Sequence, residues 1–380
     1  MIFNVIETER IPIKLWLEEL EENALKQARN AANLPSAFKH IAIMPDAHAG
    51  YGVPIGSVLA TREIVVPNAV GVDIGCGMCA ARLMMKKPEQ KELKPILGEI
   101  RKRVPVGFTW HRKSQEWDGF DRAPDLDIIQ QNLEKARYQL GTLGGGNHFI
   151  EIQHGNDDNI WIMVHCGSRN FGLKIANYYH HLAKDLCGKR SDVPSKDLSF
   201  LPVGSGKEGD EYLTAMNYAV EFAKANRDLI MKQILDVIGC EPAEMINIHH
   251  NYAATETHFD SRVIIHRKGA TSASKGEKGI IPGSQGSKSY IVEGLGNPES
   301  FTSCSHGAGR IMGRKQAIRE LSLQEEIEKM NKKGIIHGIR TEKDLDEAES
   351  AYRDIDQVMH NQSDLVRILV ELTPLAVVKG

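Results

Sequence analysis

The chain reads as an α+β protein of one large interwoven domain, 1–380. Three observations predict this. Short β-type runs alternate with helical stretches along all 380 residues, and no internal repeat or low-complexity tract divides them. A pattern recurs in which an apolar strand or a glycine turn delivers a His, Cys or Asp. Those residues come from segments spread across much of the chain, so the segments must interleave in one body if the residues are to meet.

In chain order, 17–34 has helical spacing, with acidic residues early and Lys26 and Arg29 late, as the helix dipole favours. A short apolar strand at 40–44 runs into Pro45-Asp46-Ala47-His48. The β-rich stretch 63–72, broken at Pro67, delivers Asp73. Residues 125–140 place Ile128, Ile129, Leu133, Ala136 and Leu140 on one helical face, and 160–164 is a buried-type strand that presents His165. The Ser-, Pro-, Gly- and charge-rich stretch 188–207 reads as a surface excursion. A long helix follows at 210–238, then a strand at 245–248 presenting His249 and His250, and another at 263–266 leading to Arg267 and Lys268. Although 269–309 is dense in Gly and Ser, Ile280-Ile281-Pro282 and Tyr290-Ile291-Val292 interrupt it with core-type residues, which argues against a flexible linker. A basic helix is expected over 308–321, and helices from 344 towards the end.

Bulk properties narrow the function. With 47 Lys+Arg against 50 Asp+Glu the net charge is −3, so no general basic coat exists and any nucleic-acid contact must use a local patch. No apolar run is long enough to span a bilayer, and the N-terminal residues lack the basic-then-apolar pattern of a secretory leader. The six cysteines, at 76, 79, 166, 187, 240 and 304, are mostly far apart, unlike a disulfide framework. A reducing, cytoplasmic setting is the expectation, and it would keep Cys76 available as a thiolate.

The residues that carry chemistry fall in two groups. Asp73 and Cys76 are spaced so that one tight turn can aim both at one ion. His148, His165 and His250 each follow a strand or a glycine turn. One thiolate, one carboxylate and three imidazoles suit borderline metals such as Zn or Mn. Any one of these histidines alone reads equally as a hydrogen-bonded core residue. His48 and His249 read as partners that orient ligands, Cys79 as a small buried hydrophobe, and Cys166 and Cys304 as packing residues. The second group suits phosphate. His306, in Ser-Cys-Ser-His-Gly-Ala-Gly-Arg, precedes small residues whose N–H groups can cradle an anion, or it simply caps a turn. A neutral imidazole can also accept a phosphoryl or nucleotidyl group and pass it on. Pro-Gly-Ser-Gln-Gly-Ser-Lys-Ser (282–289) offers hydroxyl and amide donors. Arg169, Arg267, Lys268, Arg310 and Arg314 are candidates for RNA phosphates.

Taken together these motifs resemble one family. Pro-Asp-Ala-His, Gly-Val-Asp-Ile-Gly-Cys-Gly, Gly-Gly-Asn-His-Phe-Ile-Glu, His-Cys-Gly-Ser-Arg, His-His-Asn-Tyr, Arg-Lys-Gly-Ala, Ser-His-Gly-Ala-Gly-Arg and the terminal Lys379-Gly380 are similar, in this order and over essentially the whole chain, to the RNA-splicing ligases of the RtcB type. The resemblance implies a single RtcB-type domain of mixed β-sheets surrounded by helices, with a central metal/nucleotide cleft. It implies an enzyme that joins an RNA 3′-phosphate or 2′,3′-cyclic phosphate to a 5′-hydroxyl with GTP and Mn²⁺, in RNA repair or tRNA splicing, with an archease-type activator as a possible partner. It further implies Asp73, Cys76, His148, His165 and His250 as ligands of two manganese ions, bridged by Cys76, and His306 as the histidine that becomes guanylylated. Asn147, Phe149, Glu151, Ser284, Ser289, Ala308, Gly309, Tyr352 and Lys379 match positions around the guanylate, with the Glu151 carboxylate suited to the guanine N1-H and N2-H edge. Asp46 would position a reacting group, and Arg169, Lys268, Arg310 and Arg314 would meet RNA phosphates. Cys166 stands where relatives often carry Ser, and Gln285 where Met is common. Competing readings are a metallophosphoesterase, which needs no guanylylated histidine, and an RNA-end binding protein with a structural metal, for which a closed four-ligand cage is usual.

Overall fold

Seven antiparallel strands form the sheet that organises the molecule. In spatial order they are Glu244–His249, Gly77–Leu83, Ile160–Cys166, Phe149–Gly155, Val366–Lys379, Ser289–Gly294 and Lys278–Ile281. The computed structural model describes residues 1–188 and 192–380. A second sheet of six strands runs Asn4–Ile6, Ile13–Leu15, Ala37–His48, Ile55–Thr61, Ser261–Lys268 and Asn251–His258. Two short pairs complete the set: Ala270–Ser272 with Ser303–Ser305, and Ile64–Val65 with Leu201–Pro202.

Side-chain alternation decides which face of the large sheet meets what. Cys79, Ala81, Ile150, Ile152, Ile162 and Val164 face the helices Gln90–Arg103 and Lys207–Ile238 and bury there with Leu97, Ile230 and Ile234. The opposite face carries Met78, Phe149 and Met163, packed with Ile280, Ile291 and Leu372. At the Lys278–Ile281 edge the two sheets join, and Ile281, Tyr290 and Val292 bury against Ala42, Met44, Val58 and Ala60. The helix Glu22–Ala32 closes the far face of the six-stranded sheet over Ile13, Leu15, Ile41 and Leu59.

The expected α+β class holds, and several elements differ in detail. The first helix begins only at Glu22, because Trp16 N–H still donates to Ile43 O (2.9 Å) and keeps the chain on the sheet. The stretch 63–72 is a two-residue strand followed by the helical turn Pro67–Val70. Pro67 starts that turn rather than breaking a strand, since a first-turn residue needs no N–H partner. In the excursion 188–207, Leu198, Phe200 and Leu201 are buried, and residues 189–191 lie outside the described residues. The basic helix is only Arg314–Glu320, because Gly309 has φ +73° and Gly313 caps the helix from extended backbone. At the C-terminus, helices give way to the 14-residue strand Val366–Lys379. Its β-branched residues pair with neighbours on both sides, and Pro374 sits at a register shift where no ladder N–H is required.

Arg267 corrects a functional expectation. Its side chain is fully buried and lies in a bidentate pair with Glu256, where Nη2–Oε2 is 3.0 Å. It also donates to Ser303 Oγ (2.8 Å), Tyr252 OH (2.9 Å) and Phe301 O (3.1 Å). It therefore ties a hairpin to the segment before His306 and is not offered to RNA. Burial works against the Glu256 charge, yet hydrogen bonds from His258 and Arg267 outweigh it and hold this carboxyl down at about 2. A depressed folded pKa contributes stability above the unfolded value, which is lost as pH falls towards 2. Glu256→Gln strands the guanidinium without its counter-charge and is expected to cost about 3–5 kcal/mol, read from the urea midpoint at neutral pH.

Candidate functional site

The ends of four neighbouring strands in the large sheet bring the expected metal ligands together. Cys76 precedes Gly77–Leu83, His148 precedes Phe149–Gly155, His165 lies near the end of Ile160–Cys166, and His250 follows Glu244–His249. Antiparallel pairing puts these starts and finishes at the same end, because Gly77 lies opposite both Cys166 and His249, and Phe149 opposite His165. Among the described residues, Cys76, His148 and His165 each place a ligand atom within 4.8 Å of the others. Cys76 Sγ is 3.5 Å from His148 Nε2 and 3.2 Å from His165 Nε2. Asp73 Oδ2 lies 3.1 Å from His148 Nε2. The His250 ring stands 5.2 Å from that of His165 and 4.8 Å from that of His306.

Local bonds aim these side chains. His148 Nδ1 is held by Leu143 O (2.9 Å) and His165 Nδ1 by Asn147 O (3.0 Å), so both Nε2 atoms turn to the sulfur. Fixing one ring nitrogen on a backbone carbonyl is how proteins orient imidazole ligands. Asn251 secures the loop from both ends, donating to Asp73 O (3.1 Å) and accepting from Gly269 N–H (2.8 Å). Gly167 makes room for the Asp73 carboxylate, since a Cβ there would lie 2.2 Å from Oδ1.

The electrostatics of this cluster are mixed: against burial, Cys166, Cys76 and Asp73 raise His148 well above the usual histidine range, so it would have to give up its proton to ligate a cation. Burial, with the Asp73 charge, pushes the Cys76 thiol up to about 12, so a bound cation is what would convert it to thiolate. Burial holds His165 and His250 well below the usual histidine range, which keeps them neutral with free lone pairs. Burial would raise the Asp73 carboxyl, but the hydrogen bond and charge of His148 prevail and hold it low. His250 Nδ1 is buried without a hydrogen-bond partner. The donor set, the aimed Nε2 atoms and this orphan nitrogen together suit a borderline transition metal.

Asp46 sits at the other side of His250. The strand Ala37–His48 leaves its register between Ile43 and His48, which turns the fully buried Asp46 carboxylate towards the turn at 305–309. Its Oδ2 accepts from His306 N–H (3.1 Å) and Gly307 N–H (3.2 Å) and lies 2.6 Å from His306 Nδ1. Gly309 is required here: at φ +73° a Cβ would fall 2.2 Å from Asp46 O. His48 folds back on Asp46 O (3.0 Å), and His249 packs edge-on against Tyr252.

The residues expected around a guanylate fall in two groups. On the sheet, Phe149 and Glu151 share a face, Lys379 Nζ stands 5.7 Å over the Phe149 ring, and Gln153 Nε2 bridges Glu151 Oε2 (2.7 Å) and Ser289 Oγ (3.1 Å). Burial pushes the Glu151 carboxyl up to about 8 against the pull of Lys379. In the loops, Ser284 is buried and bonded to Ser287, Ala308 packs in the core, and the Tyr352 hydroxyl donates to Glu347. Asn147 contributes its carbonyl, as above.

Of the expected phosphate-binding cations, the structure exposes few. Lys268 is buried and donates to the carbonyls of Tyr51 and Asn68, and burial lowers it to about 7. Arg310 is spent on Glu347 (3.0 Å), Met312 O and Asp346 O. Arg314 pairs with Glu347 (2.8 Å) but is half exposed. Arg169 donates to Thr142 Oγ1 (3.1 Å) and Gly107 O (2.9 Å) beside the glycine loop before His148.

Sequence reasoning missed two residues that hold the site. Arg227 is fully buried, and its Nη1 donates to Gly75 O (2.8 Å) and Cys166 O (2.9 Å), bracketing Cys76 and His165. Its signal was present: it lies on the buried stripe of Lys207–Ile238 with Ala223, Ile230 and Ile234. Glu347 gathers Arg310, Arg314 and Tyr352, and Gln285 Nε2 holds its carbonyl (2.9 Å). Its acidic surroundings in sequence gave no sign of burial. Cys166 Sγ donates to Leu143 O (2.8 Å) and accepts from Asn226 (3.1 Å), so it supports the His148 loop.

A mixed-sheet protein with a buried Cys/His cluster able to hold a metal ion at its strand ends, next to a histidine beside a carboxylate, has the build of an enzyme site. The family model described as tRNA-splicing ligase RtcB matches residues 27–123 and 113–380. The chain is 40% identical to the RNA-splicing ligase RtcB of Escherichia coli K12, with both chains covered in full. It is 31% identical to the tRNA-splicing ligase RtcB of Nanoarchaeum equitans, over 97% of this chain and 95% of that one. It is 32% identical to RNA-splicing ligase RtcB homolog 1 of Entamoeba histolytica, over 94% and 84%. The chain belongs to the RtcB family. Among the described residues no helix is long and apolar enough to cross a membrane.

Proposed function

We propose that this protein is a GTP- and manganese-dependent RNA ligase that joins a 3′-phosphate or 2′,3′-cyclic phosphate end to a 5′-hydroxyl end through a histidine–GMP intermediate. The observation that carries the reading is the juxtaposition of His306, fixed on Asp46, with the Cys76–His148–His165–His250 cluster. A phosphoesterase could use such a histidine as a general acid but has no need of a guanylylated one, so covalent guanylylation separates the two readings.

Asp73, Cys76, His148, His165 and His250 would hold the Mn²⁺. Bound there, the metal supplies positive charge to phosphate oxygens and favours the alkoxide form of a hydroxyl. The rest falls to the chain. Asp46 faces His306 Nδ1 and leaves Nε2 free to attack the α-phosphorus of GTP with loss of pyrophosphate. The N–H groups of Ala308 and Gly309 and the hydroxyls of Ser284 and Ser289 would cradle the guanylate, since those of Ser305, His306 and Gly307 are taken by Gln362 and Asp46. The RNA 3′-phosphate oxygen then attacks that phosphorus, the bond to Nε2 breaks, and the RNA end is activated. The 5′-hydroxyl attacks the RNA's own phosphorus and expels GMP. Arg169 and Arg314 are the cations free enough to steady RNA phosphates.

Glu151 would accept from the guanine N1-H and N2-H pair, which adenine lacks. Only the ionised carboxyl can accept both, and burial raises it to about 8. The KM for GTP is therefore expected to fall as pH rises through about 8, and Glu151→Gln to flatten that profile and weaken GTP selection.

The test of the proposal is sealing of an RNA pair bearing a 3′-[³²P]phosphate and a 5′-hydroxyl. Label recovered inside the joined strand, with GTP and Mn²⁺ required, supports it. Release of that label as inorganic phosphate would replace it with the phosphoesterase reading.

A further inference from the structure

We propose that Phe108 and Trp110 form a stacking platform for the unpaired bases of RNA entering the cleft, a subsite outside the metal and nucleotide groups described above. This inference rests on the RNA-ligase reading and extends it to how the substrate strand is gripped.

The observation is an unusual exposure. Phe108 is 101% and Trp110 40% solvent-accessible, although large aromatic side chains ordinarily contribute to cores or interfaces. The loop that carries them is ordered by its own bonds. Gly107 takes φ +64°, Thr109 Oγ1 donates to Val106 O (2.6 Å), and His111 N–H donates to Tyr138 O (3.0 Å). The rings are thus displayed on a firm turn.

Their place ties them to the site. Gly107 N–H donates to Gly144 O (2.8 Å), and Leu143 N–H to Pro105 O (2.9 Å). Arg169 Nη2 donates to Gly107 O (2.9 Å). Leu143 O in turn holds the His148 ring (2.9 Å). The platform's loop is therefore two hydrogen bonds from a candidate metal ligand, through Leu143, and Arg169 ties the same loop to Thr142.

Charge names the occupant. Between Glu99 and Glu116 the sequence has no acidic residue and five Lys or Arg, at 101, 102, 103, 112 and 113, in a chain of net charge −3. Arg101, Arg103, Arg112 and Lys113 are exposed, and Lys102 pairs with Glu99 (2.6 Å). Within 100–115 the exposed large apolar side chains are these two rings alone, with no aliphatic cluster of the kind that forms the core of a protein interface. Flat aromatic faces among cations match single-stranded nucleic acid, whose bases stack while its phosphates meet Lys and Arg. The platform is sequence-tolerant, since every base offers a π-face.

The experiment compares wild type, Phe108→Ala/Trp110→Ala and Phe108→Tyr/Trp110→Phe. Label transfer from GTP, sealing kinetics, and the Kd for a short fluorescent 3′-phosphorylated RNA are read on each. The double alanine variant is expected to raise the RNA KM and Kd by about tenfold or more, with label transfer from GTP unchanged, and the aromatic pair to restore wild-type values. An RNA Kd unchanged by the alanines overturns the platform, including the case in which that face turns out to bind a protein. If wild type takes no label from GTP, the ligase chemistry fails, and the Kd comparison still decides the platform.

Discussion

Cys76→Ser is expected to lose bound metal and to lower RNA sealing by roughly a thousandfold or more, while the fold persists. Serine keeps nearly the same volume, and its hydroxyl can still meet His148 and His165, so the stability change should stay within about 1 kcal/mol. It is a poor ligand for a borderline metal, and the charge stabilisation lost with the metal is worth several kcal/mol. Cys79→Ser is the informative companion. Cys79 is as buried as Cys76 but lies on the helix-facing side of the sheet among Leu97 and Ile234. It should retain metal and activity at a modest cost in stability. Metal content by mass spectrometry, circular dichroism and sealing rates separate the two. A fully metallated, active Cys76→Ser protein would remove the thiolate from the centre.

The second large effect is expected at Asp46→Asn, which keeps the side-chain shape and removes its charge. The carboxylate Oδ2 now receives two backbone N–H groups and faces His306 Nδ1. The amide oxygen can take the place of Oδ2 and keep these contacts, so what the substitution removes is the negative charge beside the His306 ring. Loss of a carboxylate that fixes an imidazole's orientation and tautomer lowers turnover by about 10²–10⁴-fold in comparable arrangements. The loss should appear in the rate of label transfer from GTP, with the KM for RNA little changed, because Asp46 is fully buried and meets the 305–309 turn rather than solvent. A normal label-transfer rate in Asp46→Asn would confine Asp46 to packing.

Much of this site could be read from the sequence because its ligands sit where strands end, and a strand end is visible as an apolar run meeting glycine. The run at 160–164 and the glycines before His148 pointed for that reason to residues that the structure brings together. Their convergence was not legible from local pattern. It depends on antiparallel pairing of Gly77–Leu83 with Ile160–Cys166 and Glu244–His249, contacts far apart in the chain. Nor does residue type reveal burial of a cation. Arg267 and Lys268 look alike on the page as phosphate binders, yet one closes a pair with Glu256 and the other caps backbone carbonyls. Arg310 was similarly drawn inward by Glu347. The C-terminal strand escaped notice because Pro374 and the charged residues 367 and 371 mask its alternation. They face the solvated side or a register shift and cost the sheet nothing there.

The most direct test of the central claim is incubation of metal-loaded protein with α-labelled GTP and Mn²⁺, followed by denaturing electrophoresis, for wild type and His306→Ala. Label that stays on the wild-type chain and is absent from His306→Ala is the predicted result. Metal-loaded wild type that takes no label, or a His306→Ala chain labelled as strongly as wild type, would contradict a guanylylated His306.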